Sequence, residues 1–284
     1  MNKCLSWEDI KSEPSAIKIH EHGFVYLKSV YGDDSDIASA ARISYGQGTK
    51  TINDDKSLIR YLVRNRHTSP IEQVCATFII KLPIFVMRQL IRHRTAKLNE
   101  YSGRYSVMPE EYYVPLEIRS QSASNKQGSD GTLESGSSNN WMNRYHKLLN
   151  DCTRLYQDGI NMGMAKELAR ICLPVSQYTI CVWQMDLHNL MNFLRLRLHK
   201  HAQQEIIDYA DAIYKLIQTR FPATIKAFED YILNSMTFSA SEIRLLKKYL
   251  HSIPRIHIDS EKDNMSQREI NEFLDKMNIL CNIE

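Results

Sequence analysis

Residues 74–94 read VCATFIIKLPIFVMRQLIRHR, and the hydrophobic period changes in the middle of that stretch. Val74, Ala76, Phe78, Ile80 and Leu82 alternate with Cys75, Thr77 and Lys81, the period of two that marks a half-buried strand. Pro83 then breaks the alternation. Its fixed φ and missing N–H suit the first position of a helix, so IFVMRQLIRHR is expected to be helical to or near Arg94. Working outward, GFVYLKSV (Gly23 to Val30) suits a strand, and an Ala-rich helix follows from about Asp36 to Tyr45. Asp54 can cap a helix with Leu58, Tyr61 and Leu62 on one face, ending before His67-Thr68-Ser69-Pro70. Downstream, helices are expected over about Trp141–Gly159, Met164–Cys172, Leu187–His199, Gln203–Arg220 and Pro222–Leu233. Strands that do not alternate regularly with the long helices predict an α+β fold, a mixed sheet packed with helices, rather than a doubly wound βαβ repeat.

Length and charge bound the function. The chain has 284 residues, 43% hydrophobic and 24% charged, enough for one or two domains with a substantial core. Its 36 Lys+Arg against 33 Asp+Glu leave +3, too little to imply nucleic-acid binding without a local cluster. No apolar run approaches the ~20 residues that span a bilayer, and the polar start, Met1 to Glu13, does not read as a signal peptide. Six scattered cysteines without a C-x-x-C pair point to a reducing, cytoplasmic setting. Between Arg119 and Asn140 only Ala123 and Leu133 are apolar, so that stretch is expected to be a flexible insertion. Ser239-x-x-Glu242 and Ser266-x-x-Glu269 read as capping boxes opening two short helices. The expected organisation is a single catalytic domain over 1–238, carrying the 119–140 insertion, and a helical C-terminal extension over 239–284.

The densest chemistry lies at Arg88, Arg92, His93 and Arg94, followed by Ser102-Gly103-Arg104. Arg88 and Arg92, four apart on a helix, repel unless an anion lies between them. A hydroxyl, a glycine allowing close backbone approach and guanidinium groups form the donor set that a phosphate needs. A second cluster surrounds Asp186, His188, Asn192, Arg195, Arg197, His199 and His201. Arg197 follows Phe193 by four residues and so leans towards the buried face. No metal is expected: His199 and His201 diverge on a helix, and no carboxylate pattern completes a ligand set with His188. Gly46 to Thr51 (GQGTKT) lacks either phosphate-loop pattern and is read as a plain loop, and no G-x-S-x-G motif occurs. Cys172 and Cys181 lie in apolar runs, which disfavour a thiolate.

Arg92-His93-Arg94, seven intervening residues and Ser102 resemble the R-H-R-x7-S signature of the flavin-dependent thymidylate synthases. HTSPIEQ (67–73), PIFVMRQLIRHR, NEYSGRYS, ELARICLP (167–174), LMNFLRLR (190–197) and HAQ (201–203) follow in that family's order. The resemblance implies conversion of dUMP to dTMP with methylene-tetrahydrofolate and NADPH-reduced FAD, without a cysteine nucleophile. It implies a dUMP site from Gln89, Arg92, Glu100, Ser102, Gly103, Arg104, Arg170 and Arg197, with Ser102 donating to the phosphate. FAD would be held or bordered by His67, Ser69, Arg92, His93, Arg94, Glu100, Asp186, His188, Asn192 and His201. Arg197 would activate the uracil ring, and the assembly would be a homotetramer with active sites at subunit interfaces.

The sequence departs from the family pattern where Asp186 and His188 stand in place of an Asn-x-Arg pair. That departure keeps open a relative that has lost turnover. A basic nucleic-acid-binding module using Arg88 to Arg104 is the other alternative; it predicts further basic and aromatic surface that the near-even charge balance disfavours. The leading expectation is therefore an enzyme with small-molecule partners, binding neither nucleic acid nor membrane.

Overall fold

The computed structural model describes residues 7–44, 54–123, 128–249 and 265–281. The loop at 46–51 and the expected helix end at Tyr45 lie outside them. Among the described residues the order is α1 (Trp7–Ser12), β1 (Ile17–Ile19), β2 (Gly23–Tyr31), α2 (Asp34–Ile43), α3 (Asp55–Arg64), β3 (Cys75–Pro83), α4 (Ile84–Leu90) and β4 (Lys97–Glu100). There follow β5 (Arg119–Gln121), β6 (Ser129–Thr132), α5 (Ser135–Asn161), α6 (Lys166–Ala169), β7 (Tyr178–Asp186), α7 (Leu187–Arg197), α8 (Gln204–Gln218) and α9 (Pro222–Phe228). The last two helices are α10 (Ala240–Tyr249) and α11 (Gln267–Cys281).

Five strands form one antiparallel sheet in the order β1-β2-β3-β7-β4. The α+β expectation therefore holds, with every pairing in the sheet antiparallel. One face carries Val25, Phe78, Ile80, Cys181 and Trp183 into the main core, where α2–α4 and α7–α9 cover them. Phe24 and Ile180 point the other way, into a smaller cluster with Ile10. The interior strand β7, which lies between β3 and β4, was not anticipated. Tyr178 to Cys181 are all buried, so the alternation that reveals a one-sided strand is missing from its first half and begins only at Cys181.

Pro83 is the last residue of β3 and the N-cap of α4, rather than its first helical residue. The first N–H groups of α4 are satisfied by backbone: Ile84 donates to the Gln177 carbonyl and Phe85 to that of Val175, each at 2.9 Å. The helix also stops earlier than expected, at Leu90. Arg92 N–H donates to Gln89 O and His93 N–H to Leu90 O, tightening the chain into a turn. Arg92, His93 and Arg94 consequently leave the helix, and Arg88 and Arg92 do not share a helical face.

Within 119–140, the described residues of the expected insertion form the β5–β6 hairpin and the first turns of α5, which starts six residues before Trp141. The hairpin is tied to α8 by Arg119, whose Nη2 donates to Glu205 Oε1 at 2.6 Å. The chain separates into two compact units, 1–233 and 234–284. The boundary falls at 233 because Tyr231, Ile232 and Leu233, in a π-turn after α9, still pack on the main core. In the second unit both capping boxes form. Ser239 N–H donates to Glu242 at 2.7 Å and Ser266 N–H to Glu269 at 2.7 Å, while each serine Oγ accepts from the N–H of its glutamate.

Candidate active site

A cleft of about 480 Å³ opens between the turn after α4 and one side of α7. It is lined by Arg92, His93, Arg94, Thr95, Asn189, Asn192, Leu196 and Arg197. The turn brings the R-H-R triplet and Thr95 here, and α7 supplies Asn189, Asn192, Leu196 and Arg197 at helical spacing. Arg197 closes α7 and is half-buried. Its Nε donates to His93 Nε2 at 3.0 Å and its Nη2 to the Gln89 carbonyl at 3.4 Å. The His93 ring sits edge-on to Phe193, one turn before Arg197, with centroids 4.8 Å apart. Burial, with the Arg197 charge adding, brings the His93 pKa down to about 4. At neutral pH the imidazole is therefore uncharged, and Nε2 is free to accept.

A second group gathers beyond β4. Glu100 ends that strand, and its Oε1 accepts from Thr179 Oγ1 at 2.8 Å. Ser102 opens a turn in which its Oγ accepts from Arg104 N–H at 3.3 Å. Gly103 is buried: a Cβ there would stand 2.9 Å from Met108 Sδ and 3.1 Å from Arg170 Cδ. The glycine thus lets the Arg170 stem lie against the turn. Arg104 Nε meets Glu167 Oε2 at 3.1 Å, an exposed pair worth little by itself.

The sequence-derived residues divide accordingly. Arg92, His93, Arg94, Asn192 and Arg197 share the cleft, and Gln89 adjoins it by its carbonyl, its side chain donating to Gln203 Oε1 at 2.6 Å. Glu100, Ser102, Gly103, Arg104 and Arg170 form the other group. His67 and Ser69 lie in the loop after α3; His67 stacks edge-on with Tyr61, and the 3-10 turn that follows packs against α7. Asp186 caps α7, accepting from the Asn189 N–H at 2.9 Å and from its amide at 2.7 Å. Its carboxylate is absorbed by the helix end and does not line the cleft, nor does half-buried His188. His201 is exposed beside His199, ring centroids 5.0 Å apart. Thr95, Asn189 and Leu196 are lining residues that the sequence reading missed. The i, i+3 spacing of Asp186 and Asn189 was the available signal for a helix start there. Among the described residues no three His, Cys, Asp or Glu side chains gather closely enough to hold a metal.

Residues 27–223 match the family model described as thymidylate synthase complementing protein. A flavin-dependent thymidylate synthase of Treponema denticola is 46% identical over 236 residues, covering 82% of this chain and 89% of its own. The chain belongs to the flavin-dependent thymidylate synthases. A family member from Rickettsia bellii is 41% identical and covers 94% of both chains, so the likeness runs past residue 233 into the second unit. The fold agrees with the crystal structure of a UMP/dUMP methylase from Streptomyces cacaoi bound with 5-Br UMP, at a TM-score of 0.68 and 30% identity over 76% of this chain and 98% of that one.

Proposed function

We propose that this family member methylates C5 of dUMP to give dTMP, taking the one-carbon unit from methylene-tetrahydrofolate and reducing equivalents from NADPH through FAD. The observation that carries the reading is Arg197. Two of its five N–H donors are fixed inside the protein and the rest remain for the cleft. A guanidinium stays protonated, so it cannot act as a base. It can stabilise negative charge on the uracil carbonyl edge and thereby strengthen C5 as a nucleophile. A cysteine nucleophile is disfavoured where burial, with Glu100 adding, pushes the Cys181 thiol up to about 12.

The cleft suits FAD chemically. Three guanidiniums, two amides and a hydroxyl line it without a carboxylate, a donor set fit for a diphosphate and a polar ring edge. Arg92, His93, Arg94 and Asn192 are proposed to hold FAD there, bordered by His67, Ser69, Glu100, Asp186, His188 and His201. When bound, the flavin supplies the hydride chemistry. Gln89, Arg92 and Arg197 would meet the pyrimidine end of dUMP. Glu100, Ser102, Gly103, Arg104 and Arg170 would take the rest, with Ser102 donating to the phosphate.

The two groups flank β4, whose four residues extend about 13 Å. A single nucleotide is better served by one group from each of two copies, which supports a homotetramer with sites at subunit interfaces. Among the described residues Cys75, Cys152, Cys172 and Cys181 stand as free thiols, which supports a reducing, cytoplasmic setting; no described helix is long and apolar enough to cross a membrane.

The purified protein should show a flavin spectrum that NADPH bleaches, faster with dUMP present. Failure to take up FAD would overturn the reading. Ser102→Ala should raise the dUMP concentration for half-saturation about tenfold, as expected for a lost hydrogen bond to a charged group. Unchanged affinity would put the phosphate elsewhere.

A further inference from the structure

Glu205, in the first turn of α8, is a carboxylate outside both groups of site residues and only 2% exposed. A buried charge is kept only where donors surround it, and here three do. Tyr113 Oη donates to Glu205 Oε1 at 2.7 Å, Arg119 Nη2 to the same oxygen at 2.6 Å, and Gln203 Nε2 to Oε2 at 2.8 Å. Burial by itself would raise the Glu205 pKa; the bonds from Arg119, Tyr113 and Gln203 outweigh it and bring it below the ordinary carboxylate value. At neutral pH both oxygens therefore accept and neither donates.

That polarity propagates. An amide has one accepting oxygen and one donating nitrogen, so a carboxylate at one end settles which atom faces away from it. Gln203 must turn its NH2 to Glu205, which leaves its Oε1 for the next residue. Half-buried Gln89 meets that oxygen with its own Nε2 at 2.6 Å. Gln89 Oε1 is then the atom left over, and it accepts from none of the described residues. The Gln89 backbone carbonyl receives Arg197 Nη2, so one residue adjoins the guanidinium and offers an acceptor beside it.

We propose that Glu205 is a positioning residue that sets base specificity: through Gln203 it turns Gln89 Oε1 towards the pyrimidine as the acceptor for N3–H. This deepens the reading of the site as one for dUMP and rests on it. Uracil carries a hydrogen on N3 between two carbonyl oxygens, and a donor from Arg197 beside an acceptor from Gln89 matches that edge. Cytosine has a bare lone pair at N3, which would face the Gln89 oxygen with no proton between them. A site built to accept from a substrate N–H rejects the analogue that lacks it, because its own polar atom is then left unpaired. The β5–β6 hairpin enters the chemistry here. Arg119, the first residue of β5, supplies the positive charge that lets Glu205 stay ionised while buried.

Titration calorimetry of the FAD-loaded full chain with dUMP and with dCMP tests this, and circular dichroism verifies the fold of each variant. The wild type should prefer dUMP at least about tenfold, the cost of one acceptor left unpaired. In Glu205→Gln the remaining oxygen stays with Arg119 and Tyr113, so the new NH2 faces Gln203 and reverses both amides in turn. The preference for dUMP should fall at least about tenfold, and dCMP should bind more tightly than to the wild type, which simple loosening does not produce. Adding Gln203→Glu should restore the preference, since a carboxylate at 203 accepts from both neighbouring amides and returns Gln89 Oε1 to the base. Gln203→Leu, at an exposed position, should lower the preference by letting the Gln89 amide rotate. An unchanged preference in Glu205→Gln, or in Gln203→Leu should Glu205→Gln not fold, would overturn the positioning role. A fallen preference that Gln203→Glu does not restore would overturn the relay. Tight dUMP binding by the wild type without discrimination against dCMP would overturn the specificity while leaving the dUMP site, and a wild type that binds neither nucleotide would overturn the dUMP reading itself.

Discussion

Arg197 is held on two sides before any ligand arrives: its Nε by His93 and its Nη2 by the Gln89 carbonyl. Holding a charge in place before the transition state is what makes such a group effective, and loss of one preorganised donor costs roughly 3–4 kcal/mol. Arg197→Ala is therefore expected to lower dTMP formation by two to three orders of magnitude, roughly what that energy amounts to, while visible flavin absorbance is retained. Unchanged single-turnover rates would remove Arg197 from this role. His93 makes a separate prediction. Its folded pKa of about 4 lies below the ordinary 6.5, so the unfolded chain binds the extra proton more readily. Stability due to the neutral ring is intact above pH 6.5 and is lost as pH falls towards 4. With partial exposure discounted, that loss is about 2 kcal/mol. His93→Gln should flatten this part of the pH dependence in urea unfolding; an unaltered slope would mean that other groups carry it. Arginine-rich character could be read from the sequence at both residues. Their contact could not, because 104 positions separate them and only packing brings Phe193 and His93 together.

Helix α7 shows how an element tolerates an unexpected residue. An acid at Asp186 suggested trouble for a cofactor contact, yet its carboxylate receives two hydrogen bonds from Asn189 at the helix start. Asp186→Ala should cost about 1 kcal/mol of stability and loosen Asn189 at the cleft wall, whereas Asp186→Asn should retain most of the cap. Equal thermal midpoints for the wild type and Asp186→Ala would contradict the capping role. Strand β3 was legible from its alternating buried face, and β2 from its run of β-branched and aromatic residues. Strand β4, KLNE, is exposed throughout and offers no hydrophobic period; it is a strand only because β7 presents an edge to it. The helix α4 was legible as a helix but not in its end point. Nothing in LIRHR forbids another turn, and the bonds from Arg92 and His93 back into the last turn decide it.

At the scale of the molecule, the two site groups come before and at or after the end of β4 along the chain, which makes sharing between copies testable. Arg197→Ala and Arg104→Ala would each disable a different half. Mixed and reassembled, they should regain about a quarter of wild-type activity, the fraction of sites drawing both intact halves under random pairing. No recovery despite subunit exchange would place both halves of a site within one chain. By itself the sequence determined the α+β class, the family, the capping boxes and the residue types of the site. Those depend on local periodicity, short-range hydrogen bonds and motif order, all of which survive projection onto one dimension. Only the tertiary structure decided that R-H-R leaves its helix, that His93 braces Arg197, that Asp186 turns into a cap and that β7 runs between β3 and β4. The His93–Arg197 contact and the pairing of β7 join distant segments, and the turn at Arg92–His93 and the cap at Asp186, though short-range, are choices among local bonds that the surrounding packing settles.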